Sequence, residues 1–393
     1  MKFFEITKQS KKSKARTGIL RTSHGKVLTP SFVPVATKGT LKSLPPKDIK
    51  EIGVQIAFVN TFHLTIYPGV DVLKKFGGVH KYAKLDIPLM SDSAGFQVFS
   101  LGQEKPGKKI KTREGDEALL LGISEDGVKF RSPRDGKEIL FSPEFSIKNQ
   151  EKIGADIMMA FDECIYGTAS HEYTKSATER THRWLLRCIK EKSKKKQSAT
   201  RLDSKSSARQ VNNKQFLYGI VQGGRFKDLR EESAKFVSAQ NVDGVAIGGV
   251  SVGETKKEMR EQVKWTMPYL PQEKPRHLLG VGRAEDILDL IKEGIDTFDC
   301  VEPTRLARNG TVFQKRGKSF VRLDIGKSAF LNNKNHIQKD CRCYTCQNFS
   351  LSFVHHLFKE RELLGCYLAT YHNLHFFSQF FISLRKDIER GVL

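Results

Sequence analysis

Three aspartates each follow a short apolar run: Asp92 in LMSDSAGFQ, Asp162 in MAFDEC and Asp299 in DTFDCVEPTR. Other apolar runs end in Asn60-Thr61, in Gln222 of VQGG, in Gly248-Gly249 of GGVSVGE and in GVGRAED. A single aspartate in such a place would only cap the helix that follows. Several that converge on one mouth suit sugar chemistry, where one carboxylate attacks or stabilises an oxocarbenium-like centre and another moves protons. They also suit divalent-cation binding. No histidine stands at these run ends, whereas the flanking Gly, Gln and Ser offer hydrogen bonds to a planar ligand.

A second group of reactive residues is CRCYTC, where Cys341, Cys343 and Cys346 fall within six residues. A disulfide staple, a metal site and chance compete here. The chain has seven cysteines, an odd count, and its N-terminus, MKFFEITKQSKKSKARTG, is charged with no apolar signal core. That predicts a cytoplasmic protein with reduced thiols. Closely packed thiolates favour a tetrahedral soft-ligand site, with zinc the expected ion. The fourth ligand stays open, because spacing does not choose among His336, His355, His356, Cys366, His372 and His375.

The elements that would position these groups repeat one phrase: apolar run, polar or Gly-containing loop, helical pattern. The runs are FVPVA (32–36), IAFVN (56–60), IPLM (87–90), DIMMAF (156–161), LYGIV (217–221), GVAIG (244–248), HLLGV (277–281) and IDTFD (295–299). They are rich in branched residues and do not alternate, as strands buried on both faces should not. Helical patterns follow at 45–53, 68–76, 143–153, 171–191, 225–240, 254–268 and 283–293, with a last one at about 373–389. Eight strand–helix units predict a (β/α)8 TIM barrel, ahead of an open doubly wound sheet. The cysteines then lie in an insertion between the last strand and the last helix. Residues 117–142 read as a small antiparallel β insertion with turns at Asp126-Gly127 and Asp135-Gly136. The first 30 residues read as a hairpin over one end, and the basic segment 190–215 as a mobile loop. The domain reading is a barrel of residues 1–309 and 373–393, with a metal-binding subdomain at 310–372.

The chain's 393 residues suffice for a large core, and none of its apolar stretches is long enough to span a membrane. A net charge of +23 points to a polyanionic partner, nucleic acid first.

Taken together, MSDSAGFQVFSL, FDEC, GIVQGG, IGGVSVGE, HLLGVGRAED, FDCVEPTRLARNG and CRCYTC…YHN resemble the tRNA-guanine transglycosylase family from about residue 17 to the C-terminus. The resemblance implies a (β/α)8 barrel with a zinc subdomain. It implies exchange of guanine at the wobble position of tRNA anticodons for a 7-deazaguanine, without backbone cleavage. Asp299 matches the nucleophile that attacks ribose C1′, and Asp92 the general acid/base. Asp162 matches the acceptor for the purine N1–H and 2-amino group; Gln222 and the Gly249 N–H match donors to O6. Ser93, Ala94, Gly95 and Val250 line the same base site, and Phe96 matches an aromatic that lies against the base. Gly280, Val281, Gly282, Arg283, Ala284, Glu285 and Asp286, with Thr304, Arg305, Leu306, Ala307 and Arg308, match segments that hold the anticodon loop. His372 matches the fourth ligand of one structural Zn2+, with Cys341, Cys343 and Cys346. The family also dimerises through this region, so a homodimer is expected.

Two positions depart from the family pattern. Ala94 stands where glycine is usual, and the methyl is expected to narrow the pocket or to demand a negative φ. Glu302 replaces an apolar residue. Cys164 and Val252 resemble the bacterial type, which uses the prequeuosine base, 7-aminomethyl-7-deazaguanine. Ser251 is closer to the queuine-using type, so queuine salvage is the alternative. A non-catalytic partner subunit would be expected to lose its aspartates, and both are present.

Overall fold

The computed structural model describes residues 2–95, 119–202, 214–250, 253–317 and 319–393. Eight parallel strands form one sheet: β1 (Ser31–Pro34), β2 (Ala57–Val59), β3 (Leu89–Ser91), β4 (Ile157–Met159), β5 (Phe216–Val221), β6 (Gly244–Ile247), β7 (Arg276–Leu278) and β8 (Thr297–Cys300). Their order, β1-β8-β7-β6-β5-β4-β3-β2, joins each strand to its sequence neighbour, with β1 and β8 side by side. A bridge from Val35 to Phe58, with Ala36 N donating to Phe58 O (2.7 Å), brings β1 back to β2. The sheet is thus a nearly closed barrel, as the eight apolar runs predicted.

One set of strand side chains fills the barrel, including Val33, Phe58, Met90, Ile157, Tyr218 and Ile220. The alternate set, including Leu89, Val221, Val245 and Ile247, packs outward against the helices. This two-sided burial explains why the runs do not alternate. Phe4, Leu20 and Val27 join the interior set from a three-stranded antiparallel sheet, Phe4–Gln9, Arg16–Thr22 and Gly25–Thr29. That sheet closes the end of the barrel where the strands begin; Phe3 stacks on Phe216 at 3.7 Å.

The plug is tied down by a buried carboxylate. Asp156, just before β4, has no exposed side-chain surface; its Oδ1 lies 2.8 Å from His24 Nδ1 and its Oδ2 3.2 Å from His80 Nε2. Leu89 N also donates to Oδ2 (3.0 Å). The imidazoles stack face to face at 3.4 Å and 9°, so their lone pairs run side by side instead of converging on one point. This suits two rings sharing a carboxylate better than ligation of one ion. These contacts outweigh burial and hold the Asp156 carboxyl well below the usual range. A depressed carboxyl adds stability above its ordinary range, and that contribution fades as pH falls through the lower folded value. Asp156→Asn should cost about 3 kcal/mol at neutral pH, read by chemical denaturation. The cost should shrink in acid.

The small insertion sheet (Leu119–Ile123, Val128–Arg131, Glu138–Phe141) turns at the two Asp-Gly pairs. The helix expected at 171–191 runs from His171 to Leu202, so the first part of the basic segment is helix, not loop. Its Lys, Glu, Gln and Ala are helix formers, and Glu191 pairs with Lys194 and Lys148. Residues 203–213 lie outside the described residues. After β8 come a short helix (Glu302–Arg308), a hairpin (Thr311–Arg316, Ser319–Asp324), two small helices and the helix Leu363–Glu389. That last helix begins ten residues before the expected 373.

Candidate active site and metal centre

Asp92 sits just past β3, and the end of β2 holds it. Asn60 caps the following helix by accepting from His63 N (3.0 Å) and turns its Nδ2 to Asp92 Oδ2 (2.5 Å). Thr61 N donates to Asp92 Oδ1 (2.6 Å), and Thr61 Oγ1 to the Asp92 carbonyl (2.6 Å). Both carboxylate oxygens and the backbone are therefore fixed by one dipeptide.

The next residue reaches the next strand. Ser93 Oγ donates to Asp162 Oδ1 (2.9 Å), and Gln222 Nε2 donates to Asp162 Oδ2 (2.7 Å). Behind them, Gln150 Oε1 accepts from Ser91 Oγ (2.8 Å) and Met159 N (3.0 Å), setting the ends of β3 and β4 against each other. Burial raises the Asp162 carboxyl to about 6 against the pull of its two donors. Below that pH the empty site holds a neutral acid. A ligand that offers two N–H donors to Asp162 needs the ionised form, so its binding should release protons near pH 6. Its KM should rise about tenfold per unit in more acid solution. A KM flat from pH 5 to 7 would remove Asp162 from base recognition.

Gly95 and Gly249 leave room for this cluster. A Cβ on Gly95 would stand 2.5 Å from Asp162 O; one on Gly249, whose φ is +61°, would stand 2.6 Å from Gln222 Oε1. Gln222 Oε1 is buried without a hydrogen-bond partner. Val250 is buried beside them. Ala94 does not take a negative φ: it lies at +74°, where its methyl costs about 1 kcal/mol relative to glycine. Phe96, Ser251 and Val252 lie outside the described residues.

Arg230 was not expected here. It lies on the helix after β5 and is fully buried, donating to the carbonyls of Gly248 (2.6 Å), Gly249 (2.6 Å) and Gly224 (2.7 Å). Burial lowers the guanidinium to about 10, still charged at neutral pH. It pins the backbone of the loop after β6. Nothing local in LREESAKF separates it from a solvated helix arginine.

Asp299, on β8, meets a histidine after all. His277 lies within β7, fully buried, with Nε2 3.2 Å from Asp299 Oδ1. Gly280 N donates to the same oxygen (3.0 Å). A polar residue inside a strand buried on both faces was the available signal. The two segments expected to hold the anticodon loop sit beside this point. Arg283 and Arg305 are exposed, and Glu285 with them. Ala284, Thr304 and Ala307 are buried, and buried Asp286 is engaged by Arg260 (2.9 Å) and Lys256 (3.7 Å). Arg308 donates to Thr304 O (2.9 Å). Glu302 bridges Arg322 and Arg283, which accounts for a charge at an apolar position.

The cysteines find their partner in the last helix. His372 Nδ1 lies 3.9, 3.5 and 3.3 Å from the sulfurs of Cys341, Cys343 and Cys346. All four are buried, with their ligand atoms within 4.8 Å of one another. His372 Nε2 donates to Phe313 O (2.7 Å), leaving Nδ1 for the cluster; this is the outer support a metal-binding imidazole needs. The set fits a closed tetrahedral metal site. His375 stands beside it, 3.6 Å from Cys341, while His355 bonds Ile325 O (2.6 Å).

Residues 10–393 match the family model described as Queuine tRNA-ribosyltransferase. The chain belongs to the queuine tRNA-ribosyltransferase family. Its similarity to individual members of the queuine tRNA-ribosyltransferase family spans nearly its whole length. It is 45% identical over 388 residues to the queuine tRNA-ribosyltransferase of Herpetosiphon aurantiacus, covering 99% of this chain and 89% of that protein. It is 42% identical over 390 residues to that of Caldanaerobacter subterraneus, covering 99% and 94%. It is 41% identical over 389 residues to that of Staphylococcus aureus strain JH9, covering 99% and 92%. Family membership makes the protein an enzyme, a tRNA-guanine transglycosylase, and its Cys3His cluster agrees with a structural metal in that family. Among the described residues no helix is long and apolar enough to cross a membrane.

Proposed function

We propose that the protein exchanges guanine at the wobble position of G-U-N anticodons for 7-aminomethyl-7-deazaguanine, by double displacement at Asp299. The observation that carries this reading is the pair of carboxylates, Asp92 and Asp299, held at strand ends beside the Asp162–Gln222 pocket. In the first half, an Asp299 oxygen bonds to ribose C1′ as the C1′–N9 bond breaks. The electron pair leaves with guanine, which takes a proton from Asp92. In the second half, Asp92 removes the N9 proton of the incoming base, N9 bonds to C1′, and the pair returns to Asp299.

Asp162 accepts the N1–H and 2-amino protons, which selects guanine-type bases over adenine. Gln222 Nε2 keeps one proton on Asp162 and offers the other to O6, joined by the Gly249 N–H. Ser93, Ala94, Gly95 and Val250 shape the pocket. Gly280–Asp286 and Thr304–Arg308 hold the anticodon loop, with exposed Arg283 and Arg305 on phosphates or bases. Zn2+ held by Cys341, Cys343, Cys346 and His372 fills a structural role in residues 310–372. The enzyme works in the cytoplasm as a homodimer.

Cys164 and Val252 favour the aminomethyl base. Labelled guanine in a transcribed G-U-N tRNA should be displaced by 7-aminomethyl-7-deazaguanine and not by queuine. Displacement by queuine alone would assign the salvage reaction, and no guanine exchange at all would reject the reading.

A further inference from the structure

We propose that His277 is a positioning residue that occupies one oxygen of Asp299, leaving Oδ2 to attack and favouring return of the free carboxylate in the second half-reaction. The proposal rests on the reading of Asp299 as nucleophile. His277 is fully buried within β7, against Phe58 at 5.9 Å between ring centres. Its Nε2 is 3.2 Å from Asp299 Oδ1, and its Nδ1 is 2.9 Å from Thr297 Oγ1. An ionised carboxylate only accepts, so Nε2 carries the proton. In the neutral ring, the Thr297 hydroxyl then donates to Nδ1 and fixes that tautomer.

Gly280 N donates to Oδ1 as well (3.0 Å). Both donors thus fall on one oxygen of a carboxylate that is itself only partly buried. Oδ1 is tethered, and Oδ2 is the oxygen that bonds to C1′. Hydrogen bonds to an ionised acceptor are roughly twice as strong as those to a neutral one. In the covalent intermediate Oδ1 is an ester carbonyl oxygen, and the same donors stabilise it less. His277 therefore lowers the free carboxylate relative to the adduct. It makes Asp299 a better leaving group when N9 of the incoming base attacks and the C1′–Oδ2 bond breaks.

The test uses the full chain with a transcribed G-U-N tRNA at fixed free guanine. Adduct fraction is read on denaturing gels and exchange by steady-state kinetics. His277→Phe should lower kcat about tenfold or more, change the tRNA KM less than about twofold, and raise the equilibrium adduct fraction severalfold. His277→Gln, whose Nε2 reaches the same place, should restore most of both values. His277→Asn, which reaches only towards Thr297, should behave as His277→Phe. Adduct fractions equal to wild type in the Phe and Asn variants would overturn the proposal, whatever their kcat, because a purely structural role leaves that ratio alone. Exchange by the wild type without any adduct would instead reject Asp299 as nucleophile, and the proposal with it.

Discussion

Asp299→Asn is expected to lower guanine exchange by about 10⁴-fold or more while tRNA still binds. Asparagine has nearly the same shape, and its Oδ1 can keep the hydrogen bonds from Gly280 N and His277 Nε2. What it loses is the anionic oxygen that bonds to C1′. The barrel strand, the Asp92 clamp and the Asp162–Gln222 pocket do not touch the substituted atom. Gel-shift affinity for a G-U-N tRNA should therefore stay within about threefold of wild type. Activity surviving at more than a few per cent would move the nucleophile elsewhere. A parallel loss of tRNA affinity would mean that Asp299 binds the substrate and does not attack it.

The second large effect concerns the metal centre. Cys343→Ala should remove a bound metal equivalent and lower the thermal midpoint by about 10 °C or more. The reason lies in helix Leu363–Glu389, which serves two structures at once. Its first half carries His372 to the cysteines. Its second half packs Phe377 and Phe381 on Phe32 of β1, and Phe381 on Phe298 of β8. Asn373, between them, accepts from Phe313 N (3.0 Å) and donates to Pro303 O and Thr311 O (both 3.0 Å). Releasing the sulfurs loosens the hairpin and the helix where the barrel closes. The KM for free base should change little in the protein that stays folded, because the pocket lies at the ends of β3 to β6. Elemental analysis and calorimetry read the first two effects. Loss of the metal with an unchanged midpoint would make the site dispensable to the fold.

The barrel was legible because parallel strands buried on both faces leave continuous apolar runs, and all eight correspond to barrel strands. The three aspartates and Gln222 were legible for a related reason: each lies at the end of such a run or within two residues of it. The cysteine ligands were legible from spacing, but His372 was not. It is 26 residues from Cys346, and only the helix brings it to the cluster. Arg230 and His277 were not legible, for opposite reasons. Arg230 looks like any helix arginine, and its role depends on carbonyls from the loop after β6. His277 opens the HLLGV run, whereas the other functional groups stand where such runs end. Ala94 shows that a local rule can yield to context: a residue expected to avoid positive φ adopts it between Asp92 and the close approach of Gly95 to Asp162. The helix reaching Leu202 shows the converse: a high density of charge suggests a loop, although the residues that carry it favour helix.

The most direct test is to trap the tRNA adduct, digest the protein and locate the ribose-linked residue by mass spectrometry. The link is expected on Asp299, in the peptide that contains TFDCVEPTR. A link on Asp92, or rapid exchange with no adduct on any residue, would contradict it.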